Sequence, residues 1–561
     1  MSDRRPSAPL TASEMARRQR EISISEFFLK NRHLLGFDTP AKALVTAVKE
    51  AVDNALDACE EAGILPDIDV EVSDRNGRSR VVVEDNGPGI VEDQIARIFG
   101  KLLYGSKFHK LSQSRGQQGM GISAAGMYGQ LTVGKPLHII SRVKGERLAS
   151  EMFVSIDTAR NRPDIHRKKQ MEWDCPHGTR VEMQMEGTHQ TGPHSVETYL
   201  LETAIANPHL AITYRNPKGE VIHFARSTRS LPPRPVEIKP HPYGIELGRL
   251  IQMLNNTGSR TLLRFLVDEF SCVGTKTARN IITLSQKHSD RKLSDRSHPK
   301  HIAHSQVTAL HGALQKARIQ APRTDCIVPI GEEQLLAGLR KELTADFFTV
   351  TTRPAAAYRG NPFQVEVAIA YAHPGEADVE IDASGHMHKR TAQDRPGAER
   401  LVAHKDEPVR LLRFANRVPL LYQQASCAIT KAVLQTNWRG YGLQQPKGGL
   451  PIAPMAILVH VASVWVPYTS ESKEAIEPYP EIVKEIKLGL QLCARRLAQH
   501  LRHETHLHDE YDKRTYIERY LPQIGIALQD ILALSDVERE STLRKLDDTL
   551  HRSRTQTGVH V

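Results

Sequence analysis

The feature that most limits what this chain can become is a helix with two different faces, TAVKEAVDNALDA, running from Thr46 to Ala58. Leu44, Val48, Ala51, Val52, Ala55 and Cys59 recur at three- and four-residue spacing, the pattern of an apolar stripe packed against a sheet. Glu50, Asn54 and Asp57 sit at i, i+4 and i+7, so a carboxylate and a carboxamide stand one turn apart and point the same way. A carboxylate so placed can take a proton from water, and a neutral amide oxygen beside it can join the shell of Mg²⁺. Taken alone, the segment also reads as a solvated face on which Lys49 and Asp53 form an ordinary i,i+4 pair.

Two further stretches favour the chemical reading. Val81-Val82-Val83 is a short β-branched run that delivers the chain into Glu84-Asp85-Asn86-Gly87-Pro88-Gly89-Ile90, which puts Asp85 at a strand end. Later, Arg115-Gly116-Gln117-Gln118-Gly119-Met120-Gly121-Ile122-Ser123 opens a helix of small residues. Gly87 and Gly89 allow the backbone to approach a flat base, and Gly116, Gly119 and Gly121 can present amide groups and a helix N-terminus to phosphates.

Three weak motifs in this order resemble the ATP-binding Bergerat fold shared by DNA gyrase, Hsp90, histidine kinases and MutL. Within that superfamily the set is most similar to the B subunit of the type IIB DNA topoisomerases, topoisomerase VI. The resemblance implies an α+β multidomain chain: a Bergerat-type ATPase α/β sandwich, a helix-two-turns-helix insert, an S5-like transducer and long C-terminal helices. It implies Glu50 as the general base for ATP hydrolysis, Asn54 as the Mg²⁺ ligand and Asp85 as the acceptor for the adenine amino group. It also implies nucleotide contacts from Gly87 and Gly89, from Ser106 and Lys107 in a mobile lid between Phe99 and Ser123, and from the run Gly116 to Ser123 that includes Gln117, Gln118, Met120 and Ile122.

The length of 561 residues accommodates three or four domains. A net charge of +10 is compatible with a polyanionic partner. Six cysteines without a CxxC pair make neither a disulfide framework nor a zinc site, and they read as small buried residues in a reducing cytoplasm. No window has the uninterrupted apolar run of a membrane span, and the charged first twenty residues lack a signal-peptide core, so a cytoplasmic, nucleoid-associated protein is expected.

In chain order, residues 1–21 read as a basic arm that related ATPases use as a strap between protomers. Residues 22–235 form the expected ATPase domain. In it, Ile68, Val70 and Val72 alternate with acidic residues, Asn76-Gly77 supplies a hairpin turn, and Leu137–Met185 reads as further antiparallel strands. Leu231-Pro232-Pro233-Arg234-Pro235 interrupts both helix and strand and marks the boundary. The next unit, 236–315, is helical and basic, with a turn at Phe270–Lys276. It resembles the helix-two-turns-helix module, in which Lys276, Arg279 and Lys287 would meet DNA phosphates.

The unit 316–480 resembles the transducer. Strands are expected over Phe363–Tyr371, Val409–Tyr422 and Met455–Val466, with a helix near Ser426–Leu434. Its loop Gln445-Pro446-Lys447-Gly448-Gly449 holds a lysine on a stiff turn, and by resemblance Lys447 reaches the γ-phosphate. Residues 481–561 read as a long amphipathic helix, Glu481–Arg502, and further helix broken by Pro522.

The function this implies is ATP-driven double-strand passage. Two copies dimerise on binding ATP and Mg²⁺, a gate closes on duplex DNA, and hydrolysis reopens it. Such an enzyme relaxes supercoiled DNA and decatenates linked DNA. No acidic constellation for strand cleavage follows the transducer, so cleavage is expected from the topoisomerase VI A subunit, a separate polypeptide, in an A2B2 heterotetramer with no membrane involved. The alternative from another class is a nucleotide-switched clamp or chaperone without a topoisomerase partner.

Overall fold

A computed structural model describes residues 11–19, 22–23, 26–27, 30–75, 77–105, 107, 110–116, 119–286, 292–372, 379–381, 387–389, 405–470 and 472–555. Ser106, Gln117, Gln118, Lys287 and most of the expected arm lie outside them. The described part of the arm is helix α1, Ala12–Arg18.

The two-faced helix, α2, is longer than its periodicity suggests and spans Pro40–Ala62. Thr39 caps it by accepting from the amide of Lys42, Pro40 occupies the first helical position, and Gly63 ends it at φ +73°. Its apolar stripe lies against a sheet of eight strands: β1 (Asp67–Arg75), β2 (Arg78–Asp85), β3 (Leu137–Arg142), β4 (Ala149–Asp157), β5 (Arg162–Met171), β6 (Gly178–Glu186), β7 (Ala211–Arg215) and β8 (Val221–Phe224). The spatial order is β5-β4-β3-β6-β2-β1-β7-β8. Pairing is antiparallel except between β1 and β7. Helices α3 (Glu92–Gly100), α4 (Gly121–Val133) and α5 (Val196–Ala206) complete this half.

The β1–β2 hairpin turns at Gly77, φ +73°, with Arg75 opposite Arg78; Asn76 lies outside the described residues. Strand β5 is the polar edge of the sheet, and its charged run RPDIHRKKQM shows no alternation from which to read a strand.

Beyond β8 comes a cluster of four helices, α6 (Leu247–Asn256), α7 (Leu262–Glu269), α8 (Thr275–Gln286) and α9 (His304–Lys316), around Leu250, Leu254, Phe265, Phe270 and Leu310. Thr261 caps α7, and Cys272, at φ +58°, turns the chain toward α8.

Helix α10 (Glu332–Glu342) leads into a second sheet with strands β9 (Phe347–Thr352), β10 (Ala356–Tyr358) and β11 (Asn361–Tyr371). A short separate hairpin, β12 (Val379–Ile381) and β13 (Met387–Lys389), precedes β14 (Arg410–Ala415), β15 (Val418–Pro419) and β16 (Met455–Ser463) of the second sheet. The single strand expected over Val409–Tyr422 is thus a tight hairpin. Asn416 at φ +48° and Arg417 at φ +67° reverse the chain, a conformation the apolar run conceals.

Helices α11 (Ala428–Gln435) and the first turns of α12 (Pro480–Leu532) cover this sheet through Ile429, Val433, Ile486, Leu490 and Leu497. The expected break at Pro522 does not occur. Proline removes one donor, but leaving the helix requires a residue to abandon helical φ, and that residue is Ala533 at φ +51°. Helix α13 (Asp536–Thr555) then folds back, with Leu543 against Gly525. Among the described residues no helix is long and apolar enough to cross a membrane.

The two sheets meet through α5 and α10, where Ile205, Leu335, Leu339, Phe414 and Leu458 share one core. At this contact a Cβ on Gly338 would lie 2.4 Å from the carbonyl oxygen of Ile205. Alanine normally adds about 1 kcal/mol to a helix at a glycine position. Gly338→Ala is nonetheless expected to lower the thermal midpoint, because overpacking typically costs about 1–3 kcal/mol. A raised midpoint would show that α5 and α10 are not in this contact.

Candidate active site

A cavity of about 560 Å³ opens between α2, the end of β2, the segment before α4 and one loop of the second sheet. That volume is typical of sites that enclose a small organic ligand. Glu50 and Asn54 line it from α2, and Asp85 and Gly89 from the β2 end. Gly116, Gly119, Met120, Gly121 and Ile122 form another wall.

Asp85 is buried, and its Oδ1 accepts from the amides of Gly87 at 2.8 Å and Thr179 at 3.2 Å. Both bonds fall on one oxygen, which leaves Oδ2 for a ligand donor. Burial pushes the carboxyl up to about 6, against the opposing pull of those two amides. The glycines around it are sterically required. A Cβ on Gly87 would sit 2.7 Å from Asp85 Oδ1, and Gly89, at φ +76°, would place one 2.1 Å from the carbonyl oxygen of Arg142. Asn86 instead anchors the turn, accepting from Asp67 N at 2.9 Å and donating to Leu65 O at 3.0 Å.

Glu50 lies directly over the start of α4, where a Cβ on Gly121 would fall 1.7 Å from its Oε2. The absent side chain therefore makes room for a carboxylate at the positive end of a helix. Neighbouring positions on α2 are not solvated. Lys49 and Asp53 are both buried, so the ordinary surface pair does not exist. Asp53 accepts from the hydroxyl of Tyr199 at 3.1 Å, and burial raises its carboxyl to about 6.

Some other expected residues are engaged by partners of their own. Lys107 lines the cavity, but its ammonium pairs with Asp57 at 2.6 Å and Glu61 at 2.7 Å. Burial opposes its charge, and the two carboxylates outweigh that effect and raise its pKa. Ser123 is buried, and its hydroxyl contacts the carbonyls of Ile98 at 3.0 Å and Lys101 at 3.1 Å, so it secures the base of the loop away from the cavity. Lys447 sits on the expected tight turn, with Gly449 N bonded to Pro446 O at 3.1 Å and Gly448 at φ +72°. It is exposed and does not line the cavity.

The lysine that the second sheet brings to the cavity is Lys473. It is buried, sits at φ +54°, and donates to the carbonyl of Arg115 at 2.9 Å. Its signal in the sequence is slight: a polar island, Ser470 to Glu474, between an apolar strand and a helix.

Arg115 also escaped the motif reading. Its buried guanidinium reaches Asp57 at 2.9 Å, Glu60 at 2.7 Å and Asn207 at 2.6 Å. Burial disfavours its charge, yet Glu60 and Asp57 hold it firmly protonated. In the helical cluster Lys276 is exposed, and Arg279 is paired with Asp295 at 3.0 Å.

Residues 42–188 match the family profile described as histidine kinase-, DNA gyrase B- and HSP90-like ATPase. Residues 322–513 match the topoisomerase VI B subunit, transducer. Three relatives carry the name of the B subunit of type 2 DNA topoisomerase 6. That of Archaeoglobus fulgidus is 43% identical over 541 residues, covering 96% of this chain and 84% of the relative. That of Methanococcoides burtonii is 45% identical over 528 residues, 94% of this chain and 79% of the relative. That of Methanosarcina barkeri is 44% identical over 524 residues, 93% and 79% respectively.

Gly121→Ala is expected to displace Glu50 and reduce nucleotide hydrolysis about 10²-fold, the scale of a 1 Å misplacement. The control Gly248→Ala has no atom within 4 Å of the new Cβ and should leave turnover unchanged. Affinity for a ligand that donates to Asp85 should be full above about pH 6 and fall below it, as the carboxylate acceptor is lost to protonation. Calorimetric titration across that range checks this, and Asp85→Asn should remove the pH step together with most of the binding.

Proposed function

Because the chain belongs to the B-subunit family of type 2 DNA topoisomerase 6, we infer that it is the ATP-binding and ATP-hydrolysing component of an enzyme that changes DNA topology. The observation that carries this reading is the meeting of Glu50, Asn54, Asp85, Gly116, Gly119, Gly121 and Lys473 around one cavity. Relatives of that name extend over nearly the whole chain, so the clamp or chaperone alternative is not favoured.

In this reading Asp85 accepts from the adenine amino group, and Gly89 leaves space for the base. The amides of the glycine loop and the start of α4 receive the phosphates. Glu50 polarises the attacking water and accepts its proton. Lys473 replaces Lys447 as the transducer lysine that meets the γ-phosphate, where an ammonium acts as a point charge.

Among the described residues no cluster of three or more His, Cys, Asp or Glu side chains could hold a metal alone. One amide oxygen from Asn54 suits Mg²⁺, which usually takes few protein ligands and completes its shell with substrate phosphates and water. When bound, Mg²⁺ neutralises charge on the transferring phosphate. The chain's own part is positioning and electrostatic complementarity.

Dimerisation on ATP, capture of duplex DNA and an A2B2 assembly with a DNA-cleaving partner complete the proposal. Lys276 and Arg279 are candidate phosphate contacts, supported by their exposure on α8. The test is relaxation of supercoiled plasmid by this chain mixed with its cleaving partner. Relaxation should require ATP and fall sharply with Glu50→Ala, and the chain alone with Mg²⁺ should leave the plasmid uncut. Failure of the wild-type mixture to relax DNA, despite hydrolysis, would overturn the topoisomerase reading.

A further inference from the structure

Helix α2 faces the cavity on one side and the second sheet on another, and the second contact has its own chemistry. The loop bearing Ser472, Lys473 and Glu474 lies across α2 and is held at three consecutive residues. Lys49 Nζ donates to the carbonyl of Ser472 at 3.2 Å. Lys42 pairs with Glu474 at 2.5 Å and with Asp38 at 3.0 Å. Lys473, which lines the cavity, then donates to the carbonyl of Arg115 at 2.9 Å, next to the lining residue Gly116.

Lys42 and Lys49 are seven residues apart and so share a face of α2, two turns from one another. Gly36 closes the other side, since a Cβ there would lie 3.3 Å from Ser472 Cβ. Lys49 itself is buried, lines no part of the cavity and immediately precedes Glu50. A buried ammonium that loses its acceptor is costly, so the loop and Lys49 favour staying together.

We propose that Lys49 is a positioning residue for γ-phosphate recognition: it fastens the loop of the second sheet to the helix that carries Glu50, and so holds Lys473 at the phosphate end of the cavity. The inference rests on the assignment of the cavity to ATP. Lys49 does not line the cavity. Its effect passes through Lys473, so it should be felt by a triphosphate and hardly by a diphosphate.

The experiment is calorimetric titration of the full-length chain with Mg²⁺ and either ADP or the non-hydrolysable β,γ-imido analogue of ATP. Lys49→Met keeps the unbranched stem to the ε position and removes the donor. It should bind the triphosphate analogue about tenfold more weakly, the scale of one lost charge-assisted hydrogen bond, and ADP within about twofold of wild type. Lys473→Ala should show the same split, and the double variant should be no worse than Lys473→Ala alone, because both changes remove one contact.

Glu474→Gln weakens the same docking from the loop side and should give the split in smaller measure, which keeps the test open should Lys49→Met fail to fold. Equal losses for ADP and the triphosphate, additive losses in the double variant, or no loss in either docking variant would overturn the proposal. A wild-type chain that bound neither nucleotide would overturn the assignment of the cavity instead.

Discussion

One buried guanidinium holds the glycine-rich wall of the cavity together. Arg115 stands immediately before Gly116, and its side chain ties that loop to α2 through Asp57 and Glu60 and to the end of α5 through Asn207. Glycines give the loop freedom to approach phosphates but no means of holding a shape. Arg115 supplies the means. Glu60 is shared with His209 at 2.8 Å, so its charge is countered from two sides, and Arg115 with His209 overcomes its burial and holds its carboxyl well below the usual range. Removing one partner from such a buried pair typically costs about 3–5 kcal/mol, which makes this geometry stiff.

The same anchor continues into the second sheet. Asn207 donates to the carbonyl of Arg417 at 3.3 Å, and Asn416 donates to that of Ser114 at 3.1 Å, so the Asn416–Arg417 turn touches the glycine loop's neighbours directly. Behind the turn, His460 Nε2 accepts from the amide of Arg417 at 3.0 Å. Its proton is therefore on Nδ1, which donates to Glu366 at 2.7 Å. Glu366 also accepts from Ile330 and Gly331, both at 2.7 Å, at the entry to α10. Burial alone would push Glu366 up; His460 and the two amides more than offset it and keep it ionised. A buried polar line of this kind admits one arrangement and penalises others, so the two sheets present the cavity in a fixed relation.

What the sequence made legible was local. The apolar stripe of α2, the strand leading to Asp85, the Asn-Gly hairpin and the capping Thr261 all announce themselves within a few residues, because periodicity and φ preferences act over that range. Glu50, Asn54, Asp85 and the glycines Gly116, Gly119 and Gly121 line one cavity. What stayed illegible was long-range. Lys107 and Ser123 lie in the right segments but are engaged by Asp57, Glu61 and the carbonyls of Ile98 and Lys101, contacts that no spacing encodes. Lys447 has the more conspicuous turn. Lys473 lines the cavity, and its position depends on how the second sheet docks.

That docking also explains why α2 carries more buried charge than a packing helix needs. Asp53 and Lys49 are both buried one helical turn apart, and burial shifts each toward its neutral form, the carboxyl up and the ammonium down. Apolar residues of similar size would pack there at lower cost. What they could not do is bind a carbonyl of another sheet on one side and fix Tyr199 on the other, with Glu50 between them in sequence. The helix is built less to maximise its own stability than to hold one carboxylate in register with two walls that come from different parts of the chain.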